Sequence, residues 1–486
     1  MDITFSTARR APVSAAVVAH GLTAEALGSP PDGLNAGVLG RLGFTAEVGQ
    51  VQVLPSSDRL VAAVGLGPAD AVDPGVLRRA GAALARAVRR QRAVATDLAA
   101  TSGLAAPEAS RAVVEGMALA LYRFGYKSAA TKTKGDDALS RVVLVGSTAV
   151  GVRSAVEEAS VIVSGVVLAR DLVNEPGGTL TPPVFARRVT RIARNKGLTV
   201  KVMDEAAIKR AGLGGLLGVN RGSTHPPRFV ELTYRPSGRA TATLALVGKG
   251  VTFDAGGLSI KPWQGMADMK TDMGGAAAVI GAMSTLAAVA PKVRVRGYLP
   301  MTDNMLGGDA TRPGDVLTIR NGKTIEVLNT DAEGRLILAD ALSLASEAKP
   351  DAIVDLATLT GACMVALGPD IAGLMGRNDG FLVQVEEAAK RAGERVWRLP
   401  LPDDYRESFR SPVADMKNIG GTYGGALTAG LILGEFVAEG IPWAHLDIAG
   451  PARAESDSGE LTEGGTGFGV RTLVELVRAF EKPTAD

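Results

Sequence analysis

The first 150 residues alternate between short apolar runs and longer amphipathic segments. Apolar positions recur every three or four residues over 74–92 and 107–124, and this spacing predicts two helices. The polar segment 127–140 is predicted to be an exposed loop. Short apolar runs predict strands at 51–54, 59–66 and 141–145. We therefore expect an N-terminal α/β domain over residues 1–150, and no group of residues in it suggests catalysis.

A second α/β region follows a predicted linker helix. Residues 151–173 have a helical pattern that ends at the sequence NEPGG, a strong helix stop. Beyond it, apolar strands are predicted at 198–203, 229–234, 243–247, 293–299, 351–356 and 442–448, and helices at 274–290, 336–347, 385–392 and 426–438. This alternation is typical of a mainly parallel or mixed sheet covered on both faces. We expect the catalytic domain to span 174–486 and to bind ligands at the carboxyl ends of its strands.

Composition and charge narrow the class of protein. The apolar share of 46% and the charged share of 21% are typical of a globular protein with a large core. The formal net charge of +2 argues against nucleic acid as the main partner. No stretch approaches about 20 uncharged apolar residues, so no membrane span is expected. The N-terminal sequence does not resemble a signal peptide, so a cytoplasmic protein is expected. The single cysteine, Cys363, is expected to be a buried filler and not a nucleophile.

Two segments of the second region bring charged residues next to glycine pairs. The sequence GKGVTFDAGG at 248–257 is predicted to be a glycine-rich loop that follows a strand and carries Lys249 and Asp254. The next charged segment runs from Lys261 to Asp272, just before a predicted helix. Glycine pairs beside charges are typical of backbone that closes around a ligand. Each segment also has an ordinary explanation, a solvated loop for the first and a helix N-cap at Asp272 for the second.

The third charged segment is NTDAEGRL at 329–336. In an extended backbone, residues two apart point the same way, so Asp331 and Glu333 are expected to present paired carboxylates on one side. Gly334 then lets the chain turn into a helix that opens with Arg335. Taken alone, an acidic pair of this kind is more often a solvated surface feature than a metal site.

Taken together, the three segments favour a metal site. Four carboxylates and two lysines follow strands of one predicted sheet, and apolar surroundings make so many charges costly unless cations neutralise them. Oxygen-rich ligand sets suit Mn²⁺, Mg²⁺ and Zn²⁺. The histidines, His20, His225 and His445, lie outside all three segments, so a histidine-based zinc site is disfavoured. Two ions about 3.5–4 Å apart could share bridging carboxylates and a water molecule.

These three segments resemble the leucyl aminopeptidases, a family of di-metal exopeptidases. NTDAEGRL is similar to the family signature, and GKGVTFDAGG and MKTDMGGAAAV match the other two metal loops in order and spacing. The similarity extends from about residue 174 to the end of the chain. The first 150 residues resemble the family only in size and α/β pattern, which fits a macro-domain-like N-terminal domain with a role in oligomer assembly or regulation.

The resemblance implies a set of metal ligands. Lys249, Asp254, Asp272 and Glu333 would hold the ion that receives the free amine of the substrate. Asp254, Asp331 and Glu333 would hold the second ion, so that Asp254 and Glu333 bridge both. The two divalent ions per subunit would be Mn²⁺ or Zn²⁺. A lysine ligand must be neutral, and nearby cations together with burial favour that state.

The resemblance also assigns the chemistry. Lys261 would stabilise the carbonyl oxygen as it becomes an oxyanion, and Arg335 would hold a bicarbonate ion that acts as general base. A water molecule shared by the two ions would attack the peptide bond directly, without an acyl-enzyme. Because an internal residue has no free amine, only peptides with a free N-terminus would be cleaved.

The family's pocket for the first substrate residue also carries over. It would consist of Met269, Asn329, Thr358, Leu359, Gly361 and Ala449. Leucine and other large apolar residues are the expected first residues of the substrate. Met269, Leu359 and Ala449 could equally belong to the hydrophobic core. A homohexamer is implied by the resemblance alone.

Two other functions remain open from the sequence. A metal-dependent phosphoesterase could use a similar carboxylate site, but the chain has no GxxxxGK[ST] loop to hold phosphate. DNA binding by the oligomer is known for some members of the family, but the near-neutral charge gives it little support.

Overall fold

The computed structural model describes residues 3–128, 138–146 and 148–484. The chain divides into two compact units. The first comprises residues 1–164 and 455–463, and the second comprises 165–454 and 464–486. Most of the polar segment predicted at 127–140 lies outside the described residues.

The first unit contains a mixed sheet with helices packed on it. Its strands are β1 (Thr4–Ala8), β2 (Val17–Thr23), β3 (Val51–Pro55), β4 (Leu60–Gly67), β5 (Ala93–Thr96) and β6 (Arg141–Val145). Its helices are α1 (Ala36–Arg41), α2 (Pro74–Ala87), α3 (Ala106–Leu119) and the first part of α4 (Val152–Asn174), with one-turn 3₁₀ helices at Ala24–Gly28 and Ala69–Ala71. The strand order is β1-β6-β5-β2-β4-β3, and every neighbouring pair is parallel except the antiparallel pair β3–β4. The predicted α/β organisation of this region is confirmed.

The second unit is built on a larger mixed sheet. Its strands are β7 (Thr199–Met203), β8 (Arg228–Tyr234), β9 (Thr243–Gly248), β10 (Gly250–Asp254), β11 (Arg294–Asn304), β12 (Val316–Thr318), β13 (Thr324–Glu326), β14 (Ala352–Ala357), β15 (Ala372–Arg377), β16 (Val396–Arg398), β17 (Met416–Lys417), β18 (Trp443–Asp447), β19 (Arg453–Ala454) and β20 (Gly464–Gly465). The main sheet has the order β16-β15-β18-β14-β9-β11-β8-β7, and β10 pairs with β11 beside it. Its centre, from β18 through β14 and β9 to β11, is parallel.

Helices cover both faces of this sheet. They are the end of α4, then α5 (Pro182–Asn195), α6 (Glu205–Arg210), α7 (Gly214–Asn220), α8 (Gly274–Met283), α9 (Leu286–Val289), α10 (Gly334–Glu347), α11 (Gly361–Leu367), α12 (Asp379–Ala392), α13 (Gly425–Gly434) and α14 (Val470–Ala479), with 3₁₀ helices at Met266–Thr271 and Asp403–Phe409. The core side chains come from the central strands and from α10 and α13. Cys363 is buried, as expected.

One long helix of the prediction is broken in the structure. The continuous helix expected at 274–290 ends at Met283, and the short helix α9 follows it. The hydroxyls of Ser284 and Thr285 donate hydrogen bonds to the carbonyl oxygens of Gly281 and Ala282, and such local bonds compete with the helical ladder.

The same region corrects the expectation about apolar stretches. Met266–Val289 is long and apolar enough to cross a membrane by length and composition alone. In the fold, however, 83% of its most apolar window is buried inside the unit, as is usual for a core helix. The expectation that no stretch approaches that length is therefore wrong.

The parallel centre of the sheet positions the functional side chains. Strands β9 and β14 run in the same direction, so their carboxyl ends at Gly248 and Ala357 lie at the same edge. The helix α8 begins against this edge. A β-carbon on its second residue, Gly275, would lie only 2.0 Å from the carbonyl oxygen of Leu356, so only glycine permits this approach.

Candidate metal centre

Three buried carboxylates meet at this edge of the sheet. Asp254, Asp272 and Glu333 each offer an oxygen, and these oxygens lie within 4.8 Å of one another. Lys249 Nζ lies between them, 2.7 Å from Asp272 Oδ1 and 2.7 Å from Glu333 Oε1. All four residues are at most 5% exposed. The Lys249 ammonium group therefore lies between two carboxylates, at a position that favours positive charge.

A second lysine links the remaining carboxylate to this group. Lys261 Nζ lies 2.9 Å from Asp254 Oδ2 and 2.5 Å from Asp331 Oδ1. These two side chains are more accessible, with 20% of Lys261 and 30% of Asp331 exposed. Asp331 and Lys261 thus form the solvent-facing side of the centre, and Asp254 belongs to both sides.

Asp254 is fixed by the end of strand β10. It is the last residue of that strand and not part of a loop, which corrects the expectation of a glycine-rich loop from 248 to 257. Its Oδ1 accepts hydrogen bonds of 2.9 Å from Gly256 N and from Asn304 Nδ2. Gly256 has φ +89°, which a side chain would strain, and a β-carbon there would lie 2.5 Å from the carbonyl oxygen of Ser259.

Asp272 lies at the junction between the 3₁₀ helix Met266–Thr271 and α8. Its side chain does not cap α8, whose N-cap is Met273 without a side-chain hydrogen bond. Instead Asp272 Oδ1 accepts a 2.7 Å hydrogen bond from the hydroxyl of Thr358, whose carbonyl oxygen accepts from Lys249 Nζ at 2.9 Å. Asp272 Oδ2 is buried without a protein partner, so one strong acceptor of the centre is left free.

The segment at 329–336 differs from the predicted extended conformation. Residues 330–331 form a turn, and Glu333 has φ −78° and ψ −34°, a helical conformation. The two carboxylates therefore do not stand side by side. Asp331 points to Lys261 and Glu333 points to Lys249, so the expected parallel pair was wrong although both residues reach the centre.

Asn418 holds this segment in place. It is completely buried, its Oδ1 accepts from Leu328 N and Asn329 N, and its Nδ2 donates to the carbonyl oxygens of Asn329 and Ala332 at 2.6 and 3.3 Å. Neither Asn418 nor Asn304 was predicted as a functional residue from the sequence. Neither has a local signal, because an asparagine beside no other polar cluster could equally be a turn residue.

Arg335 occupies the second position of α10. Its Nη1 donates a 2.7 Å hydrogen bond to the carbonyl oxygen of Asn418, whereas its Nε is buried without a protein partner. Burial lowers the pKa of Arg335 to about 10. A buried guanidinium with a free N–H donor is suited to bind a small oxyanion.

The centre carries an excess of negative charge. With all groups ionised, Asp254, Asp272, Asp331 and Glu333 contribute four negative charges and the two lysines contribute two positive ones, which leaves two negative charges uncompensated. Burial raises the pKa of Asp254 to about 6. Burial alone would lower the pKa of Lys249, but Asp272 and Glu333 outweigh it and raise that pKa. Bound divalent cations would remove this imbalance, and oxygen donors suit them.

Part of the pocket predicted for the first substrate residue is linked to this centre by hydrogen bonds. Thr358 contacts Asp272 directly, Met269 lies in the 3₁₀ helix that precedes Asp272, and Asn329 Oδ1 accepts a hydrogen bond from Asp331 N. The backbone N–H groups of Leu359 and Ala449 both donate to Asp447 Oδ1 at 3.1 Å, and Gly361 begins α11 at an exposed position. The buried carboxylate of Asp447 thus ties together two segments of the predicted pocket.

Comparison with known sequences decides the family. The sequence model for the catalytic domain of the cytosol aminopeptidase family matches residues 167–474, and the model for the N-terminal domain of the same family matches residues 18–130. The chain belongs to the cytosol aminopeptidase family. The predicted resemblance is therefore confirmed, and it includes residues 18–130 of the N-terminal region, which their own sequence pattern did not identify.

Relatives within the family are similar over most of their length. A protein named "Probable cytosol aminopeptidase" from Streptomyces griseus is 47% identical over 474 residues, which is 93% of this chain and 91% of that protein. One of the same name from Alkaliphilus metalliredigens is 42% identical over 450 residues, 90% of each chain.

Solved structures of the family share the fold. The bottromycin maturation enzyme BotP in complex with Mn has 45% sequence identity and a TM-score of 0.88, and the match covers 96% of this chain and 99% of that one. A mutant of tomato leucine aminopeptidase has 37% identity and a TM-score of 0.88, with 98% and 96% covered. The predicted fold class, an N-terminal α/β domain followed by an α/β catalytic domain, is confirmed.

Proposed function

We propose that this member of the family is a two-metal aminopeptidase that releases leucine and other large apolar residues from the N-terminus of peptides. The observation that supports it best is the triangle of Asp254, Asp272 and Glu333 around Lys249. Such a buried, oxygen-rich group with uncompensated negative charge is a site for divalent cations.

The ligand sets are those that the family resemblance implies, and the ion pairs on the two sides of the centre support them. Lys249, Asp254, Asp272 and Glu333 would hold one ion, and Asp254, Asp331 and Glu333 would hold the other. The ions would be Mn²⁺ or Zn²⁺, and the Mn complex of the related BotP supports the first. When bound, the ions supply Lewis acidity and an activated water, and a bicarbonate held by Arg335 supplies the base.

The chain's own groups orient the substrate. Lys261, at the accessible side of the centre, would donate a hydrogen bond to the carbonyl oxygen of the scissile bond as negative charge develops there. The free α-amine of the peptide would anchor on the side of Lys249 and Asp272. Because an internal residue lacks that amine, this arrangement favours exopeptidase cleavage.

The pocket for the first residue would be formed by the six residues assigned above. Met269, Leu359 and Ala449 are only half buried, so they offer apolar surface to a leucine side chain. Asp447 would act on this pocket indirectly, because its carboxylate fixes the backbone at Leu359 and Ala449.

The cellular setting follows from the relatives. Their names place them in the cytosol, and we extend this location to the present chain. We also propose that the chain forms a homohexamer, with residues 1–150 contributing to assembly or regulation, 151–173 acting as a linker helix and 174–486 carrying the chemistry. No observation on the centre favours a phosphoesterase.

Removal and replacement of the metal tests this proposal. Leucine p-nitroanilide hydrolysis should fall to background after chelation and return when Mn²⁺, Zn²⁺ or Co²⁺ is added. Asp331→Ala and Glu333→Ala should nearly abolish turnover while circular dichroism shows a folded protein. Glu407→Ala, a change at an exposed acidic residue outside the centre, should keep the wild-type rate. Full activity after chelation would rule the metal mechanism out.

A further inference from the structure

A second charged feature of the catalytic unit lies along helix α5. A cavity of about 440 Å³ opens there between this helix and the strands β7 and β8. Four arginines line it: Arg187, Arg191 and Arg194 from the helix, and Arg228 from the first position of β8. No residue of the metal centre contributes to its lining.

The helix places its arginines on one face. Arg187, Arg191 and Arg194 are spaced by four and three residues, so their side chains lie one above the other. Like charges at this spacing repel each other, and each such pair costs the helix a few tenths of a kcal/mol. The arrangement is therefore unfavourable for the isolated fold unless an anion neutralises it.

The fold provides no such neutralisation. The sequence has no acidic residue between Glu175 and Asp204, the stretch that contains the whole helix. Within the described residues, none of the four guanidinium groups has a carboxylate at ion-pair distance, and the lining of the cavity contains no aspartate or glutamate. By contrast, the adjacent Arg188, on another side of the helix, forms a two-pronged pair with Glu175 at 2.8 Å.

We propose that this cavity binds a small organic polyanion that carries at least two phosphate or carboxylate groups. Guanidinium groups match both oxyanions with paired N–H donors. The volume is in the range of about 300–1,000 Å³ that is usual for small-molecule sites. Ala186 and Val202 contribute apolar surface to the lining, which suits a ligand with an organic body between its charged groups.

Binding can be measured on the intact protein by fluorescence anisotropy with pyrenetetrasulfonate. This probe is a rigid polyanion with an apolar body and has no chelating groups, so it does not remove metal from the catalytic centre. The wild-type protein should bind it saturably, and added salt should weaken the binding because the contacts are charged. Arg191→Glu reverses the charge in the middle of the arginine row and should weaken binding at least tenfold.

The matched control is Arg239→Glu. Arg239 is exposed and does not line the cavity, so this variant has the same change in net charge and should bind within twofold of wild type. Displacement of the probe by tripolyphosphate would assign phosphate ligands, and displacement by benzenetricarboxylate would assign carboxylates. Equal affinities in the wild type and both variants, or no saturable binding by the wild type, would overturn the proposal.

Discussion

The side-chain amide of Asn418 donates a 2.6 Å hydrogen bond to the carbonyl oxygen of Asn329. These residues are far apart in sequence, yet this bond helps to fix the turn that carries Asp331 and Glu333. The carbonyl oxygen of Asn418 also accepts from Arg335 Nη1 at 2.7 Å. One buried residue thereby holds the segment that carries three proposed functional groups, Asp331, Glu333 and Arg335.

We predict that Asn418→Asp weakens metal binding. The new carboxylate would face the carbonyl oxygens of Asn329 and Ala332, where the amide now donates. The repulsion should displace the turn, and loss of an outer-sphere partner typically lowers metal affinity or activity by about 10–100-fold. Titration of activity with Mn²⁺ measures the change, and a higher metal concentration should restore part of the rate.

The control for this variant is Asn321→Asp at an exposed position. Asn321 Oδ1 accepts a hydrogen bond from Lys323 N, and an aspartate can keep that bond. Its Mn²⁺ titration should match that of the wild type. If Asn418→Asp also gives the wild-type titration curve, the turn does not depend on Asn418.

Gly334→Ala should damage the centre by a steric effect. A β-carbon at this position would lie 2.8 Å from Lys249 Nζ and 2.8 Å from Lys249 Cε, so the lysine would have to move away from Asp272 and Glu333. Displacement of a functional group by about 1 Å can cost about 10²-fold in rate. The kcat for leucine p-nitroanilide should fall by that order, and the thermal midpoint should also fall because a buried ammonium group is moved away from its carboxylates.

Gly178→Ala provides the matching control for this steric prediction. No atom lies within 4 Å of the β-carbon that would be added at Gly178. This variant should keep the wild-type kcat and thermal midpoint. A wild-type kcat in Gly334→Ala would mean that Lys249 can be displaced without consequence, and would argue against its role as a ligand.

Lys261→Met separates catalysis from metal binding. Methionine keeps much of the apolar stem but removes the donor to the developing oxyanion, and loss of one such donor typically lowers kcat by about 10²–10³-fold. The change also removes a positive charge beside Asp254 and Asp331, so the affinity for metal should not fall. Steady-state kinetics at saturating Mn²⁺ and a metal titration measure both effects. An unchanged kcat would exclude Lys261 from the chemistry.

Much of the sheet could be predicted from the sequence because its strands are apolar and regularly spaced. The strand Arg141–Val145 has the predicted bounds. The helix Pro182–Asn195 was missed, although Thr181 followed by two prolines is a favoured helix start. Strand β10 was not predicted either, because the glycines on both sides of it favour a loop.

The sequence identified residues that meet at the centre, but it did not predict the backbone conformation that brings them there. Asp254, Asp272 and Glu333 were all identified from their motifs, and the structure brings them together. The motif spacing could not show that Asp331 and Glu333 diverge, because the turn depends on Asn418 from a distant segment. Side chains that act through contacts distant in sequence leave no pattern in a single chain.

The pH dependence of stability provides a test away from the metal centre. Asp340 is completely buried in α10, where its side-chain oxygens accept hydrogen bonds from Leu216 N at 2.8 Å and Arg320 N at 2.9 Å. Burial raises the pKa of Asp340 from 3.8 to about 7, against the effect of these N–H donors. Between about pH 4 and about pH 7, Asp340 keeps its proton in the folded protein and loses it in the unfolded chain. The free energy of unfolding should therefore fall as pH rises through the interval, by roughly 4 kcal/mol from this group.

Asp340→Asn isolates this contribution. The amide cannot titrate, so the variant should lose stability less steeply between about pH 4 and about pH 7 than the wild type. It also leaves one backbone N–H without an acceptor, at a cost of about 1–3 kcal/mol at every pH, so the slopes and not the absolute values must be compared. Urea unfolding at several pH values gives these slopes, and the exposed Asp404→Asn should reproduce the wild-type slope. Parallel curves for wild type and Asp340→Asn would mean that Asp340 is already ionised in the folded protein at acidic pH, stabilised by its two N–H donors.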